Sequence, residues 1–133
     1  MKKGFTLVEM LAVIVILGFI VLIAYPSIIK IIYESRESSK NNQIKVIEKS
    51  AKEWAVENPT SLPYLETEGS CIVEVQKLLN GGYLSGDKVI DPSTKKEMGG
   101  CVVISVNKNK NKYEYKYVEN CNYIEGTCQP ANY

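Results

Sequence analysis

The chain has 133 residues, 16 basic and 15 acidic, and no histidine. So small a net charge gives no strong overall field for nucleic acid or an acidic substrate. The lack of histidine removes the commonest general base, and the length allows one modest domain. From Phe5 to Ile29 the only formal charge is Glu9, and Met10 to Ile29 has none. As a helix rising 1.5 Å per residue, that uncharged run covers about 30 Å, the thickness of a bilayer's hydrocarbon. Lys2 and Lys3 ahead of it would hold the start of the segment in the cytoplasm. A carboxylate within such a span costs several kcal/mol and is kept for a specific partner, so Glu9 needs a role. A cleaved secretory signal would end on small residues after a shorter apolar core, and Leu22-Ile23-Ala24-Tyr25-Pro26 lacks that pattern. A plain membrane anchor leaves Glu9 without a purpose.

The stretch Gly4-Phe5-Thr6-Leu7-Val8-Glu9, behind a short basic leader, resembles the processing motif of type IV pilins and pseudopilins. The resemblance is specific over the opening apolar helix and loose beyond it. It implies that a membrane peptidase cuts between Gly4 and Phe5 on the cytoplasmic side and methylates the new amine of Phe5. Glu9 would then pair with the Phe5 amine of a neighbouring subunit, which offsets the desolvation of both charges and penalises a misplaced copy. Gly18 and Pro26 fall where many relatives carry a glycine and a helix-kinking proline. The implied fold is α+β and pilin-like: a long N-terminal helix packed on a small antiparallel β-sheet head. The implied function is a structural subunit, a pilin of a type IV pilus serving adhesion, surface motility or DNA uptake. Alternatives are a pseudopilin of a secretion or competence apparatus, or a membrane-anchored ligand-binding module. Expected partners are other pilin subunits, the prepilin peptidase and the inner-membrane assembly machinery. The chain would be a single-pass membrane protein before assembly, with its N-terminus cytoplasmic and its head outside, and part of an extracellular pilus afterwards.

Pro26 removes one helical hydrogen bond and crowds the preceding turn, which predicts a kink or local melting. Apolar residues resume beyond it at Ile28, Ile29, Ile31 and Ile32, and Ser35 to Gln43 is polar, predicting an exposed or weakly helical stretch. Ile44, Ile47, Ala51, Trp54 and Ala55 then recur on one face of an amphipathic helix, which Asn58-Pro59 ends. The expected organisation is a leader over 1–4, an apolar helix over 5–29, an amphipathic helix over 30–58 and a head over 59–133. Within the head, Cys71 to Asn80 predicts a short helix stopped by Gly81-Gly82. Ser85 to Gly100 is turn-rich and expected to be irregular. Cys101 to Val106 is the best strand, and Lys112 to Val118 its partner across a polar turn. A third short strand is expected around Cys121 to Ile124.

Four cysteines, Cys71, Cys101, Cys121 and Cys128, lie beyond an export-type segment in a head near the size where staples help. They predict two disulfides, with three connectivities open. Their spacing lacks a close pair and the chain lacks histidine, so no metal site is expected. No phosphate loop, nucleophile elbow or paired carboxylates in an apolar setting is visible; we expect no enzyme and no cofactor. Tyr113, Tyr115 and Tyr117 share one face of a strand at period two. We assign them to packing on a helix rather than to stacking on bases or sugars. Lys108, Lys110 and Lys112 are assigned to a solvated turn, leaving nucleic acid a minor prospect as a partner.

Overall fold

The computed structural model describes residues 4–121 and 126–129. The chain packs as two compact units, Met1–Ser38 and Ser39–Tyr133, and helix α1, Leu7–Glu57, contributes to both. In the first unit every described residue is exposed apart from Ala24. The apolar side chains there point in all directions around the helix, with Leu7 88% and Ile23 78% exposed. A helix apolar all round is stable only when lipid or other protein covers it. It is the one described helix long and apolar enough to cross a membrane.

Helix α1 begins at Leu7, two residues later than expected, and is continuous through Gly18 and Pro26. The polar stretch from Ser35 to Gln43 is helical as well and exposed apart from Lys40 and Gln43, so of the two alternatives expected there it is the exposed one that is found. Extending an existing helix adds one hydrogen bond per residue, with no new nucleation. The exposed Lys30–Glu34 pair at 3.8 Å adds little.

In the second unit α1 buries Ile47, Ala51, Trp54 and Ala55 of the predicted stripe, leaves Ile44 half-buried against the core, and buries Ser50 beside them. The Ser50 hydroxyl bonds back to the carbonyl of Val46 at 2.9 Å, which lets a polar side chain sit inside. Against this stripe lies an antiparallel sheet of order β1-β2-β3, formed by Ser70–Glu74, Cys101–Asn107 and Lys112–Val118. Register pairs Cys71 with Ile104 and Ile104 with Tyr115, and pairs Val73 with Val102 and Val102 with Tyr117. Cys71, Val73, Val102, Ile104 and Tyr117 form the core with Ile47, Trp54 and Leu78, and half-buried Tyr113 and Tyr115 pack against it. The tyrosine face therefore serves packing. Tyr113 Oη donates to the Pro63 carbonyl at 2.6 Å, and Tyr117 Oη to that of Gly99 at 2.7 Å.

One expected helix is half strand. Cys71 to Glu74 belongs to β1, and only Val75–Asn80 forms helix α2. β1 is buried on both faces: Cys71 and Val73 meet the core, Ile72 on the other face is also buried, and the edge away from β2 is bridged to Thr127. A strand buried on both sides reads as a continuous apolar run, which sequence alone does not separate from a buried helix. The hairpin between β2 and β3 turns through a short 3₁₀ segment, Lys108–Lys110, with Asn111 left-handed at φ 48°. The strand expected around Cys121 to Ile124 lies, beyond Cys121, outside the described residues.

Residues 85–100 hold only an isolated bridge between Ile90 and Glu97. Buried Asp91 organises them. Its Oδ1 accepts from the amide and hydroxyl of Ser93, at 2.7 and 2.6 Å, and Lys40 Nζ lies 3.4 Å from its Oδ2. Lys40 also pairs with Glu119 at 2.9 Å, tying this loop and the end of β3 to α1. The hydrogen bonds from Ser93 hold the Asp91 carboxyl down at about 2. Hydrogen bonding to Glu119, and its charge, raise the Lys40 ammonium above its ordinary value.

Candidate processing and assembly site

Gly4, Phe5 and Thr6 precede α1 and are exposed, so the Gly4–Phe5 peptide bond lies outside helical hydrogen bonding. Helix ends leave backbone N–H groups unpaired. Here Thr6 and Glu9 satisfy two of them reciprocally: the Glu9 amide donates to Thr6 Oγ1 at 3.2 Å, and the Thr6 amide donates to Glu9 Oε2 at 2.9 Å. This is a capping box, and it gives the one charge in the apolar run a partner within its own chain. Sequence reasoning missed Thr6. The signal was available as a threonine three residues ahead of a glutamate at the start of an apolar run.

Gly4 and Gly18 share a property with Gly99 in the head. None of the three has a positive φ, and a β-carbon added at any of them would meet nothing within 4 Å. Glycine inside a helix destabilises it by about 1 kcal/mol relative to alanine, so Gly18 is a weakness that the isolated chain does not require.

The four cysteines pair as Cys71–Cys128 and Cys101–Cys121, with Cα separations of 5.0 and 5.4 Å. Of the three open connectivities this one fastens the chain end to β1 on the core side and the exit of β3 to β2. No cluster of three or more histidine, cysteine or acidic side chains suited to a metal occurs among the described residues. Near the end of α1, Tyr83 Oη donates to Glu57, a bond that raises the phenol above its ordinary value. Lys77 lies 4.9 Å from the centroid of the Trp54 ring. These contacts fix α2 on α1.

Residues 1–25 match the family model of the prokaryotic N-terminal methylation motif. The chain carries a prepilin signature. The match covers Gly4, Phe5, Glu9 and Gly18 and stops just before Pro26. No curated protein and no solved structure matches the chain. The prepilin signature and the long apolar helix fit a membrane-anchored precursor that is processed by a prepilin peptidase and assembles with other pilin-type subunits.

Proposed function

We propose that this chain is a structural subunit of a type IV pilus, cut between Gly4 and Phe5, methylated on the Phe5 amine and polymerised through its apolar helix. It serves adhesion, surface motility or DNA uptake as part of an extracellular filament. A pseudopilin would use the same assembly chemistry. In this reading residues 1–4 are the leader, 5–29 the lipid-spanning and later filament-core helix, 30–58 the amphipathic helix and 59–133 the head. The chain is a substrate of processing and supplies no catalytic residue of its own.

The observation that carries the reading is Gly4. It is exposed, it is needed neither for backbone conformation nor for space within the chain, and unlike Gly99 it lies inside the matched methylation motif, beside Phe5. Gly18 extends the same logic to packing: an uncovered glycine on an uncovered apolar helix lets another helix approach closely. Gly18 and Pro26 are the places where that helix can loosen as it leaves lipid.

Glu9 then acts on registry. Once the leader is removed, the Phe5 amine is the nearest positive group to it in sequence, and an amine from a neighbouring copy supplies the counter-charge. Intact mass of chain purified from membranes tests processing: loss of residues 1–4 with gain of one methyl is expected, and an uncut chain overturns the proposal. Glu9→Val should lower incorporation into sheared filaments at normal cellular levels, whereas unchanged incorporation would remove the registry role. A plain anchored binding module would need neither the cut nor Glu9.

A further inference from the structure

The charges of the chain nearly cancel, yet within Ser39–Tyr133 they are unevenly placed. An open groove of about 630 Å³ separates the Lys45–Lys52 stretch of α1 from β3. Lys45, Lys49 and Lys52 line one wall at helical spacing, and Lys112 and Lys116 line the other. All five are exposed. Among the described residues only Lys49 has an acidic partner, Glu53 at 4.0 Å. Two glutamates also line the groove, and both are held by the fold. Glu48 Oε1 accepts from the Tyr117 amide at 2.9 Å, and Glu114 Oε1 from Asn107 Nδ2 at 2.6 Å. Five lysines against two glutamates leave a formal charge of +3 on the lining. Lysines on β3 alone would be ordinary guards of an open edge strand. A second row on the facing helix is not needed for that purpose.

We propose that this groove binds the phosphate backbone of duplex DNA without sequence preference. The helix row extends about 10 Å at 1.5 Å per residue, and the strand row about 13 Å at 3.3 Å per residue. With one phosphate per 3.4 Å of axis on each strand, each row covers about three or four phosphates. Lysine supplies point charges without the fork that fixes orientation. Besides lysine and tyrosine the lining holds only Ser105 and the two glutamates that the fold already engages, with no arginine, asparagine or glutamine to grip a base edge at two points. The aromatic rings in the wall are committed elsewhere: Tyr113 and Tyr115 pack on the core, and Tyr113 Oη is bonded to Pro63. They are therefore not platforms for the unstacked bases of a single strand. The proposal rests on the charges of the groove alone, so failure of assembly and failure of DNA binding are separable results.

The test uses the full chain in non-ionic detergent and a labelled 20-base-pair duplex, with anisotropy followed from low to physiological salt. Each lysine on a phosphate contributes about 0.9 to the slope of log affinity against log salt. Lys45→Gln/Lys49→Gln/Lys52→Gln should therefore lower that slope by about 2 to 3, and Lys112→Gln/Lys116→Gln by about 1 to 2. Lys88→Gln/Lys95→Gln/Lys96→Gln removes the same charge outside the groove and should leave the slope unchanged. Trp54 fluorescence reports whether each variant keeps its core. Absence of salt-dependent binding overturns the proposal, as does an equal loss in the control triple. Tighter binding of a single strand of equal length, or binding of heparin without duplex, would also overturn it.

Discussion

Gly100 sits where β2 begins, at φ 91°, with the backbone of Val118 and Glu119 against it. A β-carbon there would collide with the Val118 carbonyl and stand 3.0 Å from that of Glu119. Gly100→Ala therefore carries two penalties. The left-handed backbone costs a non-glycine residue about 1–2 kcal/mol, and displacing a packed backbone costs about 1–3 kcal/mol more. Gly82 is the matched control, since its φ is 79° and a β-carbon would meet nothing within 4 Å. Gly82→Ala should show the first penalty alone. The two variants should thus differ by about 2 kcal/mol, or about 10 °C in melting temperature for a domain of this size. Trp54 is the single tryptophan and is buried in the core. Its fluorescence during urea unfolding in micelles, disulfides intact, reports this unit directly. If the two variants unfold at the same urea concentration, the close approach of β2 to the end of β3 does not limit stability, and the reasoning fails.

The remaining predictions concern the same unit. Cys71→Ala/Cys128→Ala opens a closure of 57 residues and Cys101→Ala/Cys121→Ala one of 20; chain entropy puts the losses at about 4 and about 3 kcal/mol. Denaturant midpoints in the reverse order would refute an entropic origin. Ile47 is fully buried and its neighbour Val46 half exposed, so Ile47→Ala should cost about 2–4 kcal/mol and Val46→Ala under about 0.5 kcal/mol. Asp91 titrates near 2 when folded, below its ordinary 3.8. Its contribution is therefore complete above that ordinary value and is lost as pH falls towards 2. Unfolding measured between those limits should flatten with pH in Asp91→Asn, and an unchanged slope would contradict the assignment.

The parts legible in the sequence were those with strong periodicity. The stripe of Ile47, Ala51, Trp54 and Ala55 and the alternation of Tyr113, Tyr115 and Tyr117 each have one buried face, and both were found at the right places. β1 reads as helix because Ile72 on its second face is as buried as Cys71 and Val73, which leaves no period-two alternation, and the bridge from Ile72 to Thr127 joins residues 55 apart that no local pattern connects. Lys40 looked like part of a polar stretch, yet it joins Asp91 and Glu119 across the fold. The disulfide pairing needed geometry, since spacing left three choices open. At the N-terminus the charge and length of the apolar run were plain. The Thr6–Glu9 cap is equally local, a threonine three positions ahead of the one glutamate in the run.

The two disulfides also create a short covalent route across the head. From Cys71 the route crosses to Cys128, follows the chain back seven positions to Cys121, and crosses again to Cys101. It joins β1 to β2 independently of every hydrogen bond in the sheet. If tension enters through α1 while the head is gripped elsewhere, the strands can peel apart only until that tether is taut, after about 25 Å at full extension. Beyond that distance further stretching loads covalent bonds. Such a head resists being drawn out into a thread even after its sheet has yielded, and on release β1 and β2 re-form from within reach of each other.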